Sequence, residues 1–135
     1  MTLQCALPPS PTMTRTQTIR MLARYNAWAN RLIFDAVAAL PAGEAEKPRP
    51  TLFRNMVHTL NHNYVIDRIF QAHLEGRAHP YTARNTQDPP PLAELWRAQQ
   101  EVDRWYLDWA GAVSEPGPTY TRSARRSRRC RSSRR

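Results

Sequence analysis

At 135 residues and 41% hydrophobic content, the chain has the size of one domain and can bury one modest core. Its net charge of +9 sits at one end, because residues 122–135 hold eight arginines and no acid, which leaves 12 basic against 11 acidic residues elsewhere. A nearly neutral body excludes a basic nucleic-acid-binding face, and no apolar run approaches the roughly 20 residues that a membrane span needs.

Residues 1–17 lack hydrophobic periodicity and read as a disordered leader, in which Met13, like Met21 beyond it, is an alternative start. Pro8, Pro9 and Pro11 stand where a signal peptide would carry its apolar centre. Cys5 and Cys130 lie at opposite ends and suggest neither a disulfide framework nor a cysteine-based zinc site. A cytoplasmic location is expected.

The first helix is predicted over 18–40 with Thr18 as its N-cap, stopped by Pro41 and Gly43. Leu22, Tyr25, Ala29, Leu32, Ile33, Ala36 and Leu40 recur at three- and four-residue spacing, so they form the expected core face, with Trp28 beside it. The second helix is predicted over 51–75, capped by Thr51 and closed by Gly76. Phe53, Met56, Val57, Leu60 and Tyr64 make one apolar face, and Val65 and Ile69 lie opposite with His58, His62 and His73. Such a helix packs on two sides.

A Pro/Asn/Asp-rich loop over 77–91 precedes a third helix over 92–112, whose buried stripe is Leu95, Trp96, Gln99, Val102, Tyr106, Trp109 and Val113. Glu94, Arg97, Glu101 and Arg104 belong to its solvated face. The short to moderate connections predict antiparallel neighbours. Residues 114–135 form a disordered Arg/Ser-rich tail, since almost no apolar side chain there offsets the entropy of ordering. The reading is an all-α domain over 18–113.

Chemistry concentrates on the second helix. His58 and His62 are four apart, so both rings share a face and can reach one cation, or else simply pack in the bundle. His73 lies about 16 Å further along the axis, too far to join them. Asp67 points toward the apolar face, where it needs a partner: an ion pair with Arg24 or Arg31, or a role in a site. Trp96, Trp105, Tyr106 and Trp109 read as core rather than as a ligand platform.

The run Leu22–Pro41, LARYNAWANRLIFDAVAALP, resembles the opening helix of the DinB (damage-inducible) family. Phe53–Phe70, FRNMVHTLNHNYVIDRIF, is similar to that family's second helix, and Val102–Trp109 fits its third. The resemblance implies a four-helix bundle, of which about three helices are present here. It also implies a divalent metal, zinc or nickel, held by three histidines: one from the second helix and two from a later His-x-x-x-His-Arg-Gly-Gln type motif. His62 matches the second-helix ligand, His58 is its companion, and Asp67 is a group that supports the ligand.

Relatives in the wider superfamily include metal-dependent thiol transferases and hydrolases, which makes a small-molecule thiol the expected substrate class. No histidine follows His79, so two of the three ligands have no counterpart and enzymatic activity stays open. A truncation or frameshift would account for the Arg/Ser-rich tail. The expected function is a DinB-family divalent-metal-binding bundle with an incomplete site. Two alternatives stand beside it. One is a metal-free helical interaction module, with a homodimer through the open groove. The other is non-specific nucleic-acid binding by the arginine tail, with no specific nucleic acid or membrane as partner.

Overall fold

A computed structural model describes residues 13–114. It contains three helices, α1 (Arg15–Ala38), α2 (Met56–Leu74) and α3 (Leu92–Ala112), and no strand among the described residues. The leader over 1–12 and the tail over 115–135 lie outside them.

Thr14, not Thr18, caps α1. The Thr14 hydroxyl accepts from the Gln17 backbone N–H while the Gln17 side chain accepts from the Thr14 N–H. This reciprocal capping box satisfies two donors at once. The Thr18 hydroxyl turns back to the Thr14 carbonyl, so residues 15–17, placed in the leader by sequence, are the helix's first turn.

The second helix starts at Met56 rather than Thr51. Residues 51–55 are instead wound into turns in which Arg54 has a φ of 65°. Asn55 then caps α2 by accepting from the His58 N–H at 2.8 Å. At the far end Gly76 has a φ of 68°, the Arg77 N–H donates to the Ala72 carbonyl, and the Gly76 N–H donates to that of His73. This is the Schellman closure expected of a glycine just past a helix.

Both other helices pack on α3. Arg20, early in α1, donates to the carbonyls of Ala110, Gly111 and Val113, while Phe34, late in α1, stacks on Trp96 at 4.7 Å. These contacts run α1 and α3 antiparallel, with a guanidinium on the open carbonyls at the end of α3. By contrast, Leu60 packs with Leu95 near the starts of α2 and α3, and Tyr106 bonds Asp67 further along both. The two helices therefore run parallel, not antiparallel as their connection suggested.

That connection is long enough to return along α2, and it does so in contact with it. Asn61 donates to Asn85 and Thr86, and Asn85 donates to the His58 carbonyl. A central cluster of Phe34, Ala45, Val57, Leu60 and Leu95 is flanked by Val37, Tyr64, Leu92 and Trp96. Val65, Ala72, Val102 and Ala110 are buried further along the bundle.

One expectation about packing is overturned. The apolar stripe of α1 is not its core face: Leu22, Tyr25, Leu32 and Ile33 are all about half exposed or more. The face turned to α3 instead carries Arg20, Asn26, Asn30 and Phe34. Hydrogen bonds to α3 and one large aromatic set the orientation of α1, and the apolar stripe is left outside. The charged face of α3 lies where sequence placed it, with Glu94, Arg97, Glu101 and Arg104 exposed.

Candidate functional site

His62 sits where α2 meets the returning loop. Its Nδ1 lies 2.6 Å from the Arg84 carbonyl, and its ring stacks on Phe53 at 4.3 Å. A ring N–H held by a backbone carbonyl orients the opposite nitrogen, as in many ligating histidines. His58 shares the face but engages the loop through its main chain. His73 is remote, with its ring near His79 and Phe70. No group of three or more His, Cys, Asp or Glu side chains able to hold a metal occurs among the described residues. One oriented nitrogen does not fit a tight tetrahedral or three-histidine centre.

A second constellation lies deeper, where all three helices meet. Gln99 Nε2 donates to Asp67 Oδ2 at 2.9 Å and to Asp103 Oδ1 at 3.0 Å, so one amide bridges two carboxylates. Asn30 donates to Asp103 at 2.9 Å and Asn26 at 3.4 Å. Asp103 is buried, and Gln99 Oε1 is buried with no hydrogen-bond partner. Tyr106 donates its hydroxyl to the Asp67 carbonyl at 2.8 Å.

Burial pushes the Asp67 carboxyl above its usual range, opposed by the Gln99 hydrogen bond and reinforced by the charge of Asp103. Burial likewise raises Asp103, opposed by the hydrogen bonds from Gln99 and Asn30. The Tyr106 phenol is also raised, chiefly by burial.

The ion pair expected of Asp67 does not form. Arg31 pairs with Asp35 in solvent, and Arg24 makes no ion pair among the described residues. Amide donors serve the carboxylates instead, which removes the need to bury an arginine. Asp103, Asn26 and Asn30 were missed in the sequence. For the two amides a signal was present, since Asn26 and Asn30 are four apart and share one face of α1.

Beside this network a groove of about 330 Å³ opens between α1 and α2 with α3 as its floor. Its walls are Ile19, Leu22, Phe70, Leu74 and Trp109, and Asp67, Asn26 and Tyr106 supply its polar end. Tyr106 and Trp109, expected as core, therefore face a cavity.

Fold and site together define a small helical-bundle protein with a pair of carboxylates bridged by one amide and a single oriented histidine. A model of the DinB family matches residues 13–132, most of the sequence, and the chain belongs to the DinB family. No curated protein and no solved structure matches it. Among the described residues no helix is long and apolar enough to cross a membrane.

Proposed function

We propose that this DinB-family chain acts as a helical binding module through its groove, independently of a divalent metal. The observation that carries the reading is the composition of the groove. Apolar and aromatic walls converge on one carboxylate, Asp67, that has no cationic partner among the described residues. Such a cavity suits a small ligand with an apolar body and a cationic or donor group at one end. A bound ammonium would compensate a charge that burial disfavours.

The zinc or nickel expected from the family finds one oriented ligand in His62 and no group of three or more donors among the described residues. It therefore binds weakly, without defined stoichiometry. Thiol transfer or hydrolysis at a metal needs more ligands than these residues supply.

Calorimetric titration with phenethylammonium and its neutral alcohol analogue tests the reading, with zinc titrated in parallel. The expected result is saturable amine binding that falls at least about tenfold in Asp67→Asn, a loss of about 1.4 kcal/mol. Equal affinity for amine and alcohol removes Asp67 from the reading. A one-to-one zinc site of submicromolar affinity, lost in His62→Ala, overturns the metal-independent assignment.

A further inference from the structure

The outer face of α1 carries a pattern that, Leu22 at the groove wall apart, is left in solvent among the described residues. Thr18, Leu22, Tyr25, Ala29, Leu32 and Ala36 are spaced alternately by four and three residues, the seam of a two-stranded coiled coil. Leu22 is 54% exposed, Tyr25 61%, Leu32 49%, and the flanking Trp28 56%. Met21 and Ile33 extend the strip on either side, and both are also among the exposed large apolar residues. Contiguous apolar surface of this kind marks an interaction site, whereas single exposed apolar residues do not.

What covers the strip follows from the rest of the chain. Residues 115–135 contain one large apolar side chain, Tyr120, among arginines and serines. Residues 1–12 offer Leu3 and Leu7 ahead of three prolines. Neither segment can supply a matching row of anchors. The strip, however, matches itself. We propose that α1 pairs antiparallel with α1 of a second copy across a two-fold axis, with Leu22 against the second copy's Leu32 and Tyr25 against the second copy's Ala29.

The register follows from size and spacing. In an antiparallel pair each seam residue faces one of the other spacing class, which sets Leu22 opposite Leu32 and the largest seam residue, Tyr25, opposite the small Ala29. The same register brings Trp28 next to its own copy beside the axis and leaves Arg24 and Arg31 on the solvent side. A self-complementary contact of this kind closes at two copies. Six side chains of about 200 Å² each, roughly half exposed, offer about 600 Å² per copy. That is at the low end of specific interfaces, which bury about 800 Å² per partner. A dimer with a micromolar dissociation constant is expected.

Leu22 belongs to both the strip and the groove wall, whereas Leu32 does not line the groove, so a change at Leu32 tests dimerisation apart from ligand binding. Sedimentation equilibrium of the full chain is the first measurement. A monomer–dimer equilibrium is expected, with its dissociation constant raised at least about tenfold by Leu32→Lys. Far-UV circular dichroism and urea unfolding of that variant should match the parent at concentrations where both are monomeric, because Leu32 is outside the core. Register is read by disulfide trapping in a Cys5→Ser, Cys130→Ser background. Trp28→Cys should cross-link to itself, and Leu22→Cys should not, since antiparallel pairing holds the two copies of position 22 about 15 Å apart along the axis. A monomer at all concentrations, or a dimer indifferent to Leu32→Lys, overturns the proposal. Self-cross-linking at position 22 in place of 28 means parallel pairing and overturns the register.

Discussion

The two faces of α1 invert the usual distribution of polarity. Its inner face meets α3 through Asn26 and Asn30 on the Asp103 carboxylate, with Arg20 on the last carbonyls of α3 and Phe34 as the one large buried aromatic. Its outer face carries Leu22, Tyr25, Trp28, Leu32 and Ile33 in solvent. The contrast shows that hydrophobic burial sets how much of a helix is covered, while a few directional bonds can set which side. A buried carboxylate without donors is costly enough to override a stripe of aliphatic side chains.

The largest effect that separates the two kinds of apolar position is cavity formation. Leu95 is fully buried in the central cluster, so Leu95→Ala should destabilise the monomer by about 2–5 kcal/mol. Leu32→Ala removes the same atoms from an exposed position and should change monomer stability by about 0.5 kcal/mol or less. Urea unfolding at low protein concentration measures both. Similar losses at the two positions would mean that the outer strip is packed within the monomer after all.

Much of the fold was legible because helix existence is written locally. Three amphipathic runs, the Pro41–Gly43 stop, the Gly76 closure and the charged face of α3 all follow from periodicity and capping chemistry. The failures share a different origin. Thr14 and Thr18 are both good caps, and only the reach of Gln17 back to Thr14 chooses between them. The parallel course of α2 and α3 depends on Asn85 and Thr86 finding Asn61 across the loop, a pairing of residues far apart in sequence. The core face of α1 was misread because periodicity locates an apolar stripe without naming its partner. Of the candidate site, Asp67 and Gln99 were readable as polar groups on apolar faces, but Asp103 was not. It stands among charged neighbours, and only the geometry of three helices buries it.

Removing the acceptor of the inner face gives the next effect in size. Asp103→Ala leaves the amides of Asn30, Asn26 and Gln99 without their shared carboxylate oxygen. A loss of about 1–3 kcal/mol is expected in thermal or urea unfolding. Asp103→Asn keeps an acceptor oxygen and drops the buried charge, so its loss should be smaller. If the alanine variant is as stable as the parent, the polar seam does not orient α1, and the account of why the apolar stripe faces outward fails.

The smallest effect concerns pH, and its sign runs against the usual behaviour of carboxylates. Burial raises both Asp67 and Asp103 above the ordinary aspartate value of 3.8. The folded state therefore holds protons that the unfolded chain has already released. Stability from these two groups is full below the unfolded value and is lost as pH rises through their folded values. Glu44 acts in the opposite direction, since its hydrogen bond with Arg49 lowers it and its contribution falls away in acid. A pH profile of the parent alone mixes the two trends, so the informative quantity is the difference between parent and variant. In Asp67→Asn the decline in urea midpoint as pH rises above the ordinary aspartate value of 3.8 should be shallower than in the parent, and in the Asp67→Asn, Asp103→Asn double variant shallower still. Protonation also gives one carboxyl a hydrogen to donate, either to its neighbour or, after the Gln99 amide rotates, to the otherwise unpartnered Oε1. Parallel profiles for parent and variants would show that the carboxylates are hydrated in solution, and the groove would then lack the desolvated charge on which recognition of a cationic ligand depends.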